Sequence, residues 1–260
     1  MNVQHFNKIQ ILEELSLNAL PSLQQILYDG WILRFAEGYT KRANSVTPLY
    51  PSSEDLTQKI YRCEQVYQSF NLKPIFRLTN ISQSRTLDQT LEKLGYQKYC
   101  NISVQVKTIT AGNALHNDYL TIRRGDRSVT LNNELSEEWL DHFVHAASLP
   151  IQHWETLSTI LQIIPTQTCY AWLKYRYQFC SCGLGVLENN YLGLFFIITA
   201  KKQRRKGHAE QLISTLLNWG QSKGATHAYV QVEAKNLKAI NLYNKLGFTE
   251  VYQYFYRTKA

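Results

Sequence analysis

Apolar and polar positions in the second half of the chain follow two different periods. Leu192 to Thr199 is an almost continuous apolar run, which predicts a buried strand. Glu210 to Gly220 and Leu237 to Leu246 repeat apolar residues at helical spacing. Ala228 to Glu233 and Glu250 to Arg257 return to strand-like patterns. Strands and helices that alternate in this way predict an α/β (α+β mixed-sheet) fold.

The region before these elements predicts two further helices and a hairpin. Ser136 to Ala147 begins with a helix-start pattern, and Trp154 to Ile164 continues to a stop at Pro165. Cys169 to Cys182 and Gly185 to Glu188 indicate the two strands of a hairpin.

The first half repeats the same order of patterns. Trp31 to Phe35 and Ile75 to Thr79 predict strands, and Asp55 to Phe70 predicts an amphipathic helix. Leu87 to Leu94 predicts a helix that ends at Gly95, and Ile102 to Val106 predicts a strand.

A short internal repeat supports a duplicated plan. Leu91-Glu92-Lys93-Leu94-Gly95-Tyr96 matches Tyr243-Asn244-Lys245-Leu246-Gly247-Phe248, and both follow a helix and precede a strand. Chance similarity of so short a string is the alternative. The polar and small residues from Thr110 to Asp118 predict a linker, so we expect domains at 1–110 and 119–260.

Charge and cysteine content narrow the class of protein. The formal net charge is +8, with the densest cluster at Lys201 to Lys206 rather than along a broad stripe, which disfavours nucleic acid as a partner. No apolar run is long enough for a membrane span and no signal-peptide core is present, so we expect a cytoplasmic protein without a membrane partner.

Five cysteines without a regular framework indicate reduced thiols. Cys180 and Cys182 lack two further ligands nearby, so half-buried strand residues are favoured over a metal site.

One stretch carries candidate chemistry. Gln203-Arg204-Arg205-Lys206-Gly207-His208-Ala209 stands between a predicted strand and a predicted helix. A helix N-terminus offers free backbone N–H groups and a favourable dipole to an anion, and glycine allows a close backbone approach. The residues therefore predict a site for a phosphorylated ligand.

Two motifs together resemble the GNAT (GCN5-related) N-acetyltransferase family. The stretch from Gln203 to Ala209 resembles that family's acyl-CoA pyrophosphate loop, written Q/R-x-x-G-x-G/A. Asn236 to Phe248 resembles its second motif, N-x-x-A-x-x-L-Y-x-x-x-G-F. The resemblance covers about Asp118 to Ala260 and implies the acyl-CoA N-acyltransferase fold, with two GNAT-like copies in tandem. The copy at 119–260 is expected to be catalytic.

The copy at 1–110 is expected to be degenerate and non-catalytic. It has no counterpart of the basic glycine loop, and Pro48 and Pro51 lack N–H groups in the corresponding region. The chain should then hold one cofactor site.

The resemblance assigns the cofactor residues one by one. Backbone groups of the strand before the loop should bond the pantetheine arm, one of its N–H groups could polarise the thioester oxygen, and the loop amides should hold the pyrophosphate. The expected cofactor-binding residues are Ile197, Ile198, Thr199, Arg204, Arg205, Lys206, Gly207, His208, Ala209, Glu210 and Asn236.

Tyr243 matches the tyrosine that donates a proton to the departing thiolate in many members. A phenol is protonated at neutral pH and can therefore act as this acid. The alternative is a helix residue packed against the cofactor arm. Asn236 matches the asparagine that contacts the cofactor, and it is also well suited to cap the following helix.

The general base is less well defined. Some members carry a glutamate five residues before the motif asparagine, where this chain has Gln231. Glu233 lies two residues further on the same strand face and is the candidate base, acting through water. The alternative is that the amine arrives neutral and needs no base. Glu188 and His153 are weaker candidates, and His153 is better explained as a capping residue before the helix from Trp154.

These assignments predict transfer of the acetyl group of acetyl-CoA to a primary amine of a small molecule or peptide, by direct attack on the thioester. The alternative is a non-catalytic acyl-CoA-binding sensor. The positive net charge suits an acidic amine such as an amino acid. No metal is expected, and the protein is predicted to be a monomer or homodimer.

Overall fold

A computed structural model of the chain describes residues 3–81, 86–109 and 120–259. The predicted linker from Thr110 to Asp118 lies outside these residues. No helix in the described part of the chain has the length and apolar character needed to cross a membrane.

The contacts divide the chain into two compact units, and each unit consists of more than one segment of the chain. Unit 1 consists of Met1–Val104, Val232–Leu237 and Glu250–Ala260, and unit 2 consists of Gln105–Gln231 and Lys238–Thr249. The limits of these units differ from those of the predicted domains at 1–110 and 119–260, since Val232–Leu237 and Glu250–Ala260 belong to unit 1. The assignment of catalysis to the second part of the chain stays a prediction.

Unit 1 is built on strands ordered β1-β2-β3-β4-β12-β5. β1 and β2 form an antiparallel hairpin, β3 is parallel to β4, and β12 is antiparallel to β4. Its elements are α1 (Val3–Ala19), β1 (Gln24–Tyr28), β2 (Trp31–Phe35), β3 (Val46–Pro48), α2 (Leu56–Ser69), β4 (Ile75–Leu78), α3 (Leu87–Lys93), most of β5 (Gln97–Thr108) and most of β12 (Thr249–Thr258).

The core of unit 1 lies between its sheet and one face of α2. Ile60, Cys63 and Tyr67 recur at helical spacing and are fully buried, as the amphipathic pattern predicts. They pack with Trp31 and Phe76 of the sheet. Helix α2 is therefore fixed to the sheet by its apolar face.

Unit 2 is built on strands ordered β11-β10-β9-β8-β7-β6, which are antiparallel neighbours from β6 to β10. The pair β10–β11 is parallel. Its elements are β6 (Leu120–Arg124), β7 (Arg127–Asn132), α4 (Glu137–Ala147), α5 (Trp154–Gln162), β8 (Gln167–Tyr175), β9 (Gln178–Glu188), β10 (Tyr191–Thr199), α6 (His208–Ser222), most of β11 (His227–Glu233) and nearly all of α7 (Leu237–Lys245).

Two helices cover opposite faces of this sheet. Trp139 of α4 is fully buried and packs edge-to-face against Phe196 of β10. A Cβ built on Gly185 of β9 would point to the other face, 3.3 Å from Leu216 and 3.4 Å from Trp219 of α6. Leu192 to Phe195 of β10 are thus buried, as the sequence predicts, whereas Phe196 to Thr199 are only partly buried.

The predicted helices and strands named above are confirmed within one or two residues at most ends, but the position of one turn was wrong. The hairpin of β8 and β9 turns at Arg176 and Tyr177, not between Cys182 and Gly185. Both turn residues have positive φ, 47° and 67°, which matches a tight two-residue hairpin turn made without glycine.

Candidate active site

Strand β10 carries a bulge just before its end. Phe195 pairs with Leu184 and Ile198 pairs with Cys182, so two residues of β10 face one residue of β9. Phe196, inside the bulge, has a φ of 53°. Such a bulge bends the strand and redirects the backbone groups that follow it.

Two residues of neighbouring elements make the bulge possible. A Cβ on Gly183 would lie 2.4 Å from Cδ1 of Ile197, so glycine leaves the space that Ile197 fills. The indole N–H of Trp139 donates to the carbonyl oxygens of Gly183 and Ala171, both at 3.1 Å. Trp139 of α4 therefore provides a hydrogen-bond donor for the carbonyl oxygen of Gly183 in β9, next to the irregular pairing of β9 with β10.

Beyond the bulge, β10 leaves its parallel neighbour. The register of β10 with β11 runs from Tyr191 to Leu194, and no later pair is formed between these strands in the described residues. Ile198 and Thr199 still pair with β9. One edge of the last residues of β10 is therefore not bonded to β11, which is the separation expected of a strand that bonds a ligand.

The loop after β10 ends in an uncapped helix. Arg204 is extended, Arg205 has a φ of 63°, and Gly207 has a φ of 80° at the N-cap of α6. Gly207 offers no side-chain cap, whereas Ser136 of α4 accepts a bond from the backbone N–H of Trp139. The N–H groups in the first turn of α6 therefore point out of the helix without an intrahelical partner.

The space in front of Gly207 is open. A Cβ built on this residue would meet no atom within 4 Å among the described residues. Glycine is needed here for its positive φ, and open space lies beside it. The residues present therefore fit the anion that the sequence predicts.

Side chains of the same unit hold the loop in place. Arg127 of β7 donates to the carbonyl oxygen of Lys206 at 3.1 Å and to Oε1 of Gln211 at 3.3 Å. Arg204 Nε donates to the carbonyl oxygen of Thr199 at 3.2 Å. These bonds fix loop carbonyls and leave the helix-start amides free to face outward.

His208, the first residue of α6, turns its ring inward. The residue is 3% exposed, and neither ring nitrogen has a hydrogen-bond partner in the described part of the chain. Burial lowers the pKa of this imidazole, and the charges of Arg127 and Lys206 lower it further. The ring is therefore neutral at neutral pH. The remaining predicted loop residues, Ala209 and Glu210, are partly buried in the first turn of α6.

Tyr243 lies on α7, which is joined to the start of α6. Lys245 of α7 pairs with Glu210 of α6 at 2.8 Å. Tyr243 is 6% exposed and its ring meets that of Phe248 at 5.6 Å. The motif tyrosine and the loop helix are thus linked within unit 2.

Asn236 and Glu233 belong by their contacts to unit 1. Asn236 directly precedes α7, and its backbone N–H donates to the carbonyl oxygen of Glu233 at 2.8 Å. Glu233 is exposed at the end of β11, with its carboxylate 3.2 Å from Lys235 Nζ, while Gln231 is buried. The acid, base and cofactor roles of these residues stay predictions. His153 stands at the N-cap of α5 as predicted, but its side chain makes no cap hydrogen bond there, so the expected side-chain cap is wrong.

A cavity of about 300 Å³ opens at the C-terminal end of α4. Its lining includes His142, Ser148, Phe179, Ala200 and Lys201. The His142 ring stacks on Phe179 at 4.3 Å, and burial lowers the pKa of His142 although Glu138 opposes this effect. Ala200 directly follows Thr199, so the cavity adjoins the end of β10.

The described residues contain no group of three or more His, Cys, Asp or Glu side chains that could hold a metal ion. Cys180 and Cys182 are fully buried on β9, more deeply than the half-buried positions we predicted, and burial raises the pKa of both thiols.

Sequence reasoning missed the bulge, Arg127 and Trp139. The bulge depends on the register between β9 and β10, and Arg127 is far from the loop in sequence. The pair of glycines in β9 was the available signal, since glycine inside a strand often marks a bulge or a close approach.

The mixed sheet in which β10, its loop and α6 follow one another has the fold of the GNAT-type acyltransferases. The chain belongs to the family described as "Probable histone acetyltransferase Rv0428c C-terminal", whose model matches residues 7–257.

Known relatives agree with this assignment. The chain is 28% identical over 255 residues to an uncharacterized N-acetyltransferase, YobR, of Bacillus subtilis (strain 168), covering 96% of this chain and 98% of YobR. Its fold resembles a GCN5-related N-acetyltransferase from Kribbella flavida, with a TM-score of 0.67 at 11% identity over 96% and 95% of the two chains. It also resembles a tandem GNAT protein from the clavulanic acid biosynthesis pathway, with a TM-score of 0.61 at 9% identity over 97% and 95%. The predicted mixed α/β acyltransferase fold and the acyltransferase activity are confirmed.

Proposed function

We propose that the protein transfers the acetyl group of acetyl-CoA to a primary amine of a small molecule or peptide, by direct attack of the amine on the thioester. The observation that carries this proposal is the open N-terminus of α6, where Gly207 at φ 80° follows the unpaired edge of β10. A pyrophosphate fits the amides from Arg205 to Glu210, because the first turn of a helix favours an anion. Lys206 and its basic neighbours add long-range attraction.

The free edge of β10 is suited to an extended amide-containing arm. Backbone groups after the bulge, at Ile197, Ile198 and Thr199, can bond such an arm as one strand bonds another. The thioester of acetyl-CoA supplies an activated acetyl group. A backbone N–H on this strand, fixed by the bulge, stabilises negative charge on the thioester oxygen without reorganisation.

Tyr243 is proposed as the acid of the reaction. Its ring is held against Phe248, and α7 is tied to α6 by the pair Lys245–Glu210. The hydroxyl would protonate the thiolate as it leaves, so that the reverse attack is prevented. Asn236 is proposed to contact the cofactor, and Glu233 to relieve the amine of its proton through water.

The cavity at the end of α4 is proposed as the acceptor pocket. It adjoins Ala200 and the end of β10, and it has room for a small amine. Lys201 at its lining suits an acceptor that carries an acidic group, and the neutral ring of His142 avoids repulsion of an ammonium ion.

The first part of the chain is proposed to be a copy of the same plan without catalysis. The order of β3, α2, β4 and α3 repeats the order of β10, α6, β11 and α7, and β3 is parallel to β4 as β10 is to β11. The resemblance to a tandem GNAT protein supports this arrangement.

The test is an incubation of the protein with acetyl-CoA and a panel of amino acids, polyamines and lysine-containing peptides. Free thiol is followed by a colorimetric reagent and the acetylated product by mass spectrometry. We expect amine-dependent thiol release with at least one acceptor class. Tight acetyl-CoA binding without release above hydrolysis would instead favour a sensor.

A further inference from the structure

The turn between β1 and β2 places a carboxylate inside the loop that precedes α2. Asp29 accepts hydrogen bonds from the backbone N–H groups of Ser53, at 3.0 and 3.1 Å, and of Glu54, at 3.0 Å. The hydroxyls of Ser52 and Ser53 donate to the same carboxylate at 2.8 and 2.9 Å. Backbone amides and hydroxyls of one loop thus converge on a single anion.

A buried cation completes the set. Lys59 of α2 has a fully buried side chain, and its Nζ lies 2.8 Å from Oδ2 of Asp29. It also bonds Ser52 Oγ at 2.6 Å and lies 4.3 Å from the centroid of the Trp31 ring. Two amides, two hydroxyls and an ammonium around one anion form the kind of donor set that recognises phosphate.

The remaining amides at the start of α2 are also engaged. Asp55, at the N-cap, accepts from the backbone N–H groups of Thr57 and Gln58, both at 3.0 Å. The β1–β2 turn lies directly on the loop, since a Cβ on Gly30 would be 2.1 Å from the carbonyl oxygen of Pro51. The backbone N–H groups of Ser53, Glu54, Thr57 and Gln58 therefore all donate to carboxylates of the chain itself.

The corresponding loop of unit 2 differs at these points. It also joins a strand to a helix, but its N-cap, Gly207, has no side chain to cover the amides. The hairpin turn that corresponds to Asp29 and Gly30 consists of Arg176 and Tyr177, and its arginine pairs with Asp126 at 2.8 Å. One loop thus carries its own anion, and the other does not.

We propose that Asp29 acts as an internal ligand of unit 1. Its carboxylate occupies the anion position of the loop before α2, and the corresponding position in the loop before α6 of unit 2 binds the pyrophosphate of the cofactor. The comparison with unit 2 rests on the proposed function, while the occupied loop of unit 1 does not. Pro48 and Pro51 then explain only part of the loss, because Ser53 and Glu54 still offer amides. The chain binds one CoA because its second anion site is filled from within.

The experiment measures the stoichiometry of inorganic pyrophosphate by calorimetry in four versions of the full chain. We expect one equivalent for the wild type, none for Gly207→Glu, two for Asp29→Ala, and one for the double variant. Asp29→Asn is the matched control: it fills the same space, so we expect no added equivalent. Circular dichroism reports the fold of each variant.

Two equivalents on the wild type, or a folded Asp29→Ala that binds only one, would overturn the proposal. Because Asp29→Ala leaves Lys59 buried without its partner, this variant is also melted with and without pyrophosphate. A rise in Tm larger than that of the wild type supports the proposal. An Asp29→Ala chain that stays unfolded in pyrophosphate while Asp29→Asn folds refutes it. Unchanged binding by Gly207→Glu would count against the cofactor loop alone, so the two failures are distinguishable.

Discussion

Replacement of Gly207 by glutamate should separate the stability of the loop from its affinity for CoA. The residue has a φ of 80°, and a Cβ built on it meets no described atom within 4 Å, so a new side chain starts in open space. An L-residue in this conformation costs about 1 kcal/mol, and a carboxylate near a helix N-terminus recovers about 0.3 to 1 kcal/mol. The free energy of unfolding should therefore change by less than about 1 kcal/mol.

The affinity should change much more. A carboxylate about 5 Å from two charges of the pyrophosphate, at an effective dielectric constant of about 60, opposes binding by about 2 kcal/mol. Loss of the close backbone approach adds to this, so we expect Kd for CoA to rise by about 30- to 150-fold. Calorimetric titration measures the affinity, and urea unfolding measures the stability.

Gly224 offers a matched control at the other end of the same helix. It has a φ of 92° and equally open surroundings, so Gly224→Glu introduces similar backbone strain. We expect its CoA affinity to remain within about twofold of the wild type, since no ligand contact is proposed there. Equal losses in the two variants, or unchanged affinity in Gly207→Glu, would refute the loop assignment.

Three further predictions test neighbouring residues. Tyr243→Phe keeps the ring against Phe248 but removes the hydroxyl, so turnover should fall by about a hundredfold while Kd for CoA is unchanged. Turnover equal to that of the wild type in steady-state assays would exclude Tyr243 as the acid. Tyr177→Phe, at an exposed tyrosine, is the control. Arg127→Ala removes two hydrogen bonds, to Lys206 of the loop and to Gln211 of α6, and should weaken CoA binding by about 5- to 10-fold in calorimetry. The control Arg176→Ala should leave CoA binding unchanged. Equal effects of the two substitutions would contradict a role of Arg127 in positioning the loop. Burial lowers the pKa of His208 in the folded chain, so the unfolded chain binds a proton at a higher pH than the folded chain does. The free energy of unfolding that the neutral ring contributes is therefore complete above about pH 6.5, the ordinary pKa of histidine, and is lost as the pH falls below it. His208→Gln should therefore show a shallower fall in urea-unfolding free energy between about pH 7 and 5, and a slope identical to that of the wild type would contradict this.

The parts of the site that depend on local sequence were predictable. The loop from Gln203 to Ala209 and the helix after it follow from a short pattern of basic residues and glycine, and both lie where we predicted. The boundaries of α2 and α4 follow from their caps, Asp55 and Ser136, whose side chains accept bonds from first-turn amides.

Features that depend on distant contacts were not predictable. The predicted hairpin had its break between Cys182 and Gly185, but Gly183 and Gly185 lie inside β9, where they leave space for Ile197 and for residues of α6. The actual turn uses Arg176 and Tyr177 at positive φ, which no common turn pattern indicates. The pairing of β12 with β4 joins residues far apart in sequence, so chain order alone gave different domain limits.

Amide hydrogen exchange with and without acetyl-CoA tests the proposed cofactor site at the start of α6 most directly. We predict that acetyl-CoA slows exchange of the amides from Arg205 to Glu210, because the pyrophosphate accepts their hydrogen bonds. The amides of Ser53, Glu54, Thr57 and Gln58 already donate to Asp29 and Asp55 and should not change. Protection at these four amides without protection at the α6 loop would contradict the account.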